Sequence, residues 1–315
     1  YSSRMSLALE PDLPSGEAAL TIAGHLLGTL KANLRGMEQD IDSEFLHDFR
    51  VAGRRTRSLL TLMKGVLPRE FRREALSRFT RLGELTGPMR DLDVWLLRFP
   101  SHKKILPENF HPGLREIFGA IARRRSAARN EFESAFKEKE LQFPLHVWET
   151  LLAEGLEAWE DVPRGASRPI GVTAAKVIAR RFAKLVALGT AGEGELSDQD
   201  LHRLRIECKK LRYALEFFSS LFPGQATAGF LATLRKLQDQ LGDHHDLVVQ
   251  LADLRAMLKV RGRGRLSPTA AAAAGALMIK LEERKKKIRT RFAKTFRKFI
   301  GDENAAALGR ITRRK

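Results

Sequence analysis

Residues 47–57 read His47-Asp48-Phe49-Arg50-Val51-Ala52-Gly53-Arg54-Arg55-Thr56-Arg57, and 155 residues later the chain reads His202-Arg203-Leu204-Arg205-Ile206-Glu207-Cys208-Lys209-Lys210-Leu211-Arg212. On a helix that advances about 100° per residue, His47, Arg50, Arg54 and Arg57 fall at i, i+3, i+7 and i+10, inside one narrow stripe. His202, Arg205, Lys209 and Arg212 do the same. The other side is apolar in both copies, with Phe49, Ala52, Leu59, Leu60 and Met63 in the first and Leu204, Leu211, Leu215 and Phe218 in the second. Each helix is therefore expected to bury one face and present a row of cations on the other. The same offset carries Leu46 to Leu201, Pro68 to Pro223, Leu82 to Leu237, Gly87 to Gly242 and Asp91-Leu92 to Asp246-Leu247. The chain contains an internal repeat.

Working outward, the apolar spacing predicts a helix from Gly16 to about Met37, the basic helix from Leu46 to Lys64 with Asp42 or Ser43 as its N-cap, and a third from Pro68 to about Thr86. Gly87-Pro88 is read as punctuation before a short helix from Asp91 to Phe99. A long helix over about 113–140 and another over 144–160 complete the first half. The second half repeats the order: a helix near 171–187, Asp198 or Asp200 as N-cap of the His202 helix, a helix over about 230–241 stopped at Gly242, and a long helix over about 268–300. In that last helix Arg284, Arg289, Phe292 and Phe296 answer Arg124, Arg129, Phe132 and Phe136. No stretch reads as a strand. The expected fold is all-α, two pseudosymmetric antiparallel helical bundles around a central basic cleft or pore. Residues 1–14 are an irregular lead-in, 15–160 the first half, 161–169 a Pro/Gly-rich linker, 170–300 the second half and 301–315 a frayed basic tail.

Composition narrows the function. In 315 residues, 56 Lys and Arg face 38 Asp and Glu, for a formal charge of +18, which calls for an anionic partner. One cysteine, Cys208, excludes an intramolecular disulfide and a cysteine-rich metal cluster, and points to a reducing, cytoplasmic setting. No apolar run approaches the roughly 18 residues of a membrane span, and no signal peptide opens the chain, so a soluble protein without a membrane partner is expected. It begins at Tyr1 rather than methionine, which leaves room for a preceding segment.

His47-x-x-Arg50-x-x-x-Arg54-Arg55-x-Arg57 with the later Gly87-Pro88-x-Arg90-Asp91-Leu92-Asp93, and the return of that arrangement in the second half, resemble the CHAD family, the conserved-histidine α-helical domain. The resemblance spans roughly residues 15–300. It implies an antiparallel helical bundle with two-fold pseudosymmetry whose basic helices line a cleft or pore that binds inorganic polyphosphate, without catalysis and without a cofactor. Matched residue by residue, it assigns polyphosphate contact to His47, Arg50, Arg54, Arg55 and Arg57 and to His202, Arg205, Lys209, Lys210 and Arg212. Further from the motif it extends to Arg78, Arg81, Arg129, Lys236 and Arg289. It also implies polyphosphate granules or polyphosphate-metabolising enzymes as partners. The second copy departs at Asp243-His244-His245-Asp246, where the first has Pro88-Met89-Arg90-Asp91, so contacts at that corner are expected to differ.

The residue chemistry agrees with that class of ligand. Polyphosphate offers no base to read and about one negative charge per unit, so its site needs rows of cations: arginine forks for phosphate oxygens and lysines as point charges. Aromatic residues make up only 7%, and most are Phe on apolar faces. Asp91 and Asp246 are read as capping or orienting an arginine, and Cys208 as packing; His102, His111 and His146 are unrepeated and receive no role. Two alternatives compete. A metal-dependent HD-type phosphohydrolase is suggested by His47-Asp48 and His244-His245-Asp246, but the second copy puts Arg203 where Asp48 stands, and a cationic stripe suits an anion better than a metal. A nonspecific nucleic-acid binder is allowed by charge alone, but no specific nucleic-acid motif is present and the basic faces lack stacking aromatics.

Overall fold

The computed structural model describes residues 7–155, 161–191, 196–222, 224–262 and 264–312. Among them lie eleven α-helices: α1 (Ser15–Glu38), α2 (Ser43–Leu62), α3 (Arg69–Leu97), α4 (Phe99–Ile105), α5 (His111–Lys137), α6 (Gln142–Glu154), α7 (Ile170–Thr190), α8 (Asp198–Phe217), α9 (Gly224–Lys259), α10 (Pro268–Phe299) and α11 (Asp302–Thr312). The only pairings of the β type among these residues are two isolated bridges, Pro14 with Pro169 and Lys64 with Leu67. No helix of the described residues is long and apolar enough to cross a membrane.

The helices pack in the same sequence twice. In the first half α1 lies on α2, α2 on α3 and α3 on α5; in the second, α7 lies on α8, α8 on α9 and α9 on α10. The halves then meet through α5 with α10 and α2 with α8. Their apolar faces close one continuous core, which includes Phe49, Leu59 and Leu60 of α2 and Leu204, Leu211 and Leu215 of α8. Burying each such side chain contributes roughly 1.5–3 kcal/mol. Gly113 sets how closely α5 approaches α10, since a Cβ there would stand 2.4 Å from the Thr269 carbonyl oxygen.

The linker and the lead-in are tied to each other. Ser15 N–H donates to the Arg168 carbonyl at 2.9 Å and Ile170 N–H to the Leu13 carbonyl at 2.8 Å, so the starts of α1 and α7 sit side by side. Leu9 is buried, and its N–H donates to Ser220 Oγ at 2.9 Å. Residues 1–6 and 156–160 lie outside the described residues.

Four boundaries differ from the sequence expectation. α3 runs unbroken through Gly87-Pro88, because Pro88 faces solvent while Leu82, Met89, Leu92 and Trp95 keep the buried stripe in register across it. α9 likewise passes Gly242: a helical glycine costs about 1 kcal/mol, which the buried Leu237, Leu241, Leu247 and Leu251 outweigh. The N-cap of α8 is Ser197, not Asp198 or Asp200; its hydroxyl accepts the Asp200 N–H at 3.1 Å and the Asp200 carboxylate accepts the Ser197 N–H at 3.1 Å. Residues 302–312, expected to fray, form α11, which buries Asn304 and Ala307 against α9 and α7. For α2, Asp42 is the N-cap, accepting from Glu44 N–H at 3.0 Å.

Candidate functional site

The outward row of α2 lies against α3. Arg50 reaches across, its Nη1 donating to the Gly83 carbonyl at 2.8 Å and to Thr86 Oγ1 at 2.9 Å. The carbonyl left without its helical N–H by Pro88 is that of Glu84, one residue on, so Arg50 ties α2 to this turn of α3 without replacing the missing donor. Arg50 packs against Gly87, where a Cβ would stand at an ordinary contact distance of 3.4 Å from Nη1. Arg50, Arg54 and Arg57 then line a hollow of about 250 Å³ between the two helices, floored by Phe49 and Phe79.

The histidines are held in matching ways. His47 Nδ1 is 3.0 Å from Arg90 Nη2. A guanidinium can only donate, so Nδ1 accepts and the ring is neutral with its proton on Nε2. Burial, and then the charge of Arg90, hold the His47 pKa below its ordinary value. The residue 155 positions after Arg90 is His245, and its Nδ1 lies 3.3 Å from Nδ1 of His202. Burial, with Arg205 and His202 next, pushes His245 down to about 4. His202 is lowered too, by burial and then by Arg205 and Lys209. The same pair of positions is thus occupied by His and Arg in one half and by two His in the other.

The two rows converge. Arg54 is close enough to Arg205 and Lys209 to depress both, although burial is the larger cause for each. Lys209 is driven down to about 7 by burial, then by Arg205, Arg54 and Arg212. Arg50 falls to about 10 for the same reasons, burial first and Arg54 next. Two carboxylates face this set at equivalent positions, Asp91 toward Arg50 and Asp246 toward Arg205, and partial desolvation raises the pKa of both. Both sit in mid-helix, so neither caps a helix end, and Asp246 pairs with Arg98 at 3.5 Å. The Nε groups of Arg50, Arg54 and Arg205 are buried without an acceptor among the described residues. Buried donors and cations in excess of acids leave a cleft of strongly positive potential whose electrostatic cost an anion would relieve.

Not every basic residue of the two segments joins the cleft. Arg55, one residue and about 100° round from Arg54, is only 6% exposed; its Nη2 pairs with Glu216 at 2.7 Å and its guanidinium lies 5.6 Å over the Tyr213 ring. It forms the α2–α8 contact. Lys210 pairs at 2.9 Å with the buried Glu207, which also holds Arg181 and Lys184. Arg212 borders the cleft while resting on Tyr213 and pairing with Glu216 at 3.4 Å. Arg78 is paired with Glu74 and Arg81 with Glu140. Arg129 binds the carbonyls of Met37 and Glu38 at the end of α1, and Arg289 binds Asp198 and the Leu196 carbonyl, so both clamp the chain leading into a basic helix. Lys236 is exposed on α9.

Arg90 and His245 were missed as site residues, although the 155-residue offset relates them and could have pointed to both. His102 is a core residue against Trp95 and Phe118, and Cys208 is buried with its thiol pKa pushed up by burial. Among the described residues no three His, Cys, Asp or Glu side chains stand together as metal ligands would.

Against known families, residues 21–255 match the CHAD domain. The crystal structure of the CHAD domain from the plant Ricinus communis is 25% identical, with a TM-score of 0.73 over 97% of this chain and 95% of that one. PptA from Streptomyces chartreusis, 16% identical, has a TM-score of 0.68 over 90% of this chain and 99% of its own, a likeness of fold. No curated protein matches the sequence.

Proposed function

The chain belongs to the CHAD domain family, and on that premise we propose that it binds inorganic polyphosphate, without turning it over, in the cleft between α2, α3, α8 and α9. The observation that carries the reading is the meeting of the two cationic rows at Arg54, Arg205 and Lys209, half-buried together with fewer acids than cations around them. His47 lies seven residues before Arg54 and His202 seven before Lys209, about 10 Å along each helix, so a linear polyanion has a cationic path of several phosphates to follow. Guanidinium forks suit phosphate oxygens. The aromatic rings beside these cations, Phe49, Phe79 and Tyr213, are buried and offer no platform for a base.

Binding rather than turnover is favoured by the chemistry of the candidate nucleophile and bases. The one thiol is buried and protonated, and the Nδ1 atoms of His47 and His202 are engaged by Arg90 and His245. A cytoplasmic setting, and association with polyphosphate granules or with polyphosphate-metabolising enzymes, belong to the same proposal.

Titration calorimetry with polyphosphates of graded length, beside ATP, RNA and orthophosphate, tests it. Affinity climbs steeply from triphosphate to longer chains and then levels, and it falls with salt as counterions are released. Equal affinity for triphosphate and a long chain, or displacement of polyphosphate by RNA at equal phosphate concentration, overturns the reading.

A further inference from the structure

The C-terminal half of α10 carries a third cationic row, on the outside of the molecule. From Arg284 to Lys298 nine of fifteen residues are Lys or Arg and none is acidic. Lys287, Arg291, Lys294 and Lys298 fall at i, i+4, i+7 and i+11, within about 60° of one another and opposite the buried Ile288, Phe292, Phe296 and Phe299. All four are exposed, and none makes an ion pair among the described residues. The cations that do pair, Arg284, Lys285 and Arg289, lie on the flank turned toward α8 and α9.

A run of charge on a helix is usually just a solvated face, and two observations separate this one from that reading. Some exposed helix cations elsewhere on this protein are matched one turn away, as Arg73 is by Glu70, Arg203 by Asp200 and Lys280 by Glu283. On α10, Arg291 and Lys294 have no acid one turn away in either direction, and the row places like charges at that spacing, Lys287 with Arg291 and Lys294 with Lys298, an arrangement that weakens a helix unless an anion covers it. The inner side of the same helix also reaches the His202 end of the cleft. His202 and His245 share a hollow of about 240 Å³ with Asp198, and Asp198 is held by Lys285 at 3.3 Å and Arg289 at 2.7 Å. Across the start of α8, Arg289, Lys294 and Arg297 line a groove of about 430 Å³, with Phe292 and Phe296 at its apolar wall.

We propose that the outer face of α10 is a second polyanion track, which carries the part of a polyphosphate chain that runs beyond the His202 end of the cleft. The proposal rests on the reading of the cleft as a polyphosphate site. It commits to polyphosphate rather than nucleic acid because the exposed face offers Lys, Arg, Thr and Ala, while Phe292 and Phe296, at the groove wall, are each only 5% exposed and present no open ring face for a base.

The test compares tripolyphosphate, long-chain polyphosphate and single-stranded RNA on three variants of the full chain. The ridge variant is Lys287→Gln, Arg291→Gln, Lys294→Gln and Lys298→Gln. The control neutralises four exposed cations elsewhere, Arg35, Lys137, Arg168 and Lys176, and the cleft variant is Arg54→Gln with Lys209→Gln. At about 0.1 M salt the ridge variant loses about tenfold in affinity for the long chain, four exposed contacts each of modest worth, and stays within about twofold for tripolyphosphate. The control stays within about twofold for both. An unchanged long-chain affinity in the ridge variant, an equal loss for tripolyphosphate, or a loss confined to RNA overturns the proposal. The cleft variant judges the underlying reading separately: it loses tripolyphosphate binding if the cleft is the site, and retention of full affinity for both lengths removes that reading whatever the ridge does. Thermal melts keep the result interpretable, since neutralising a self-repelling face leaves the midpoint unchanged or raises it.

Discussion

Replacing Lys209 by arginine should abolish a proton uptake that otherwise accompanies polyphosphate binding. In the free cleft, burial and the charges of Arg205, Arg54 and Arg212 bring Lys209 from 10.5 to about 7. At pH 8 about nine in ten molecules then carry it neutral. Phosphate oxygens beside the amine favour its charged form and return its pKa toward the ordinary range. Binding at pH 8 therefore takes up about 0.9 proton, and at pH 6.5 about 0.2, because most of the amine is already charged there. The sign follows: a pKa raised by the ligand makes the ligand bind more tightly as pH falls, and above pH 7 this one group weakens affinity by up to about tenfold per pH unit. Calorimetry at pH 8 in buffers of different ionisation enthalpy measures the uptake as the slope of observed against buffer enthalpy. Lys209→Arg keeps the positive charge, and a guanidinium stays protonated throughout, so its slope contribution vanishes while affinity at pH 6.5 is retained. A zero slope for the unaltered protein at pH 8, or an unchanged slope in Lys209→Arg, would refute the reasoning.

The same desolvation predicts that Lys209→Met stabilises the free protein at pH 7 by on the order of 2 kcal/mol while weakening polyphosphate binding; because the folded pKa lies below the unfolded one, the gain shrinks as pH rises from about 7 to 10, which melts across that range report. Arg55→Ala leaves Glu216 between the halves with only its longer 3.4 Å pairing to Arg212 and should cost about 2 kcal/mol in urea unfolding, whereas the adjacent Arg54→Ala should lower affinity with little loss of stability. Gly113→Ala should destabilise by about 1–3 kcal/mol, despite the better helix propensity of alanine, because its Cβ meets the Thr269 backbone; a neutral or stabilising result would show that α5 and α10 can part freely. The double reversal Arg54→Glu with Lys209→Glu should reduce polyphosphate affinity by orders of magnitude at unchanged helicity, since charged hydrogen bonds contribute about 1.5–3 kcal/mol each. The exposed pair Arg123→Glu with Arg124→Glu, an equal change in net charge, should cost only a modest loss at low salt.

What the sequence alone determined is what a helix encodes locally. Apolar residues three and four apart located the helices, and the spacing of His47, Arg50, Arg54 and Arg57, repeated at residue 202, located both cationic rows, because side-chain direction on a helix depends only on residue number. Which cations belong to the site was decided by partners far away in the chain. Arg55 left the cleft because Glu216, 161 residues on, receives it, and Arg81 is paired because Glu140, three residues past the end of α5, stands beside it. Arg90 and His245 entered the site because α3 and α9 continue through Gly87-Pro88 and Gly242, and those helices continue because burial of their leucine stripes outweighs the local signals that would stop them. The lowered pKa of Lys209 is tertiary for the same reason: no local pattern encodes desolvation, nor the approach of Arg54 from the other half.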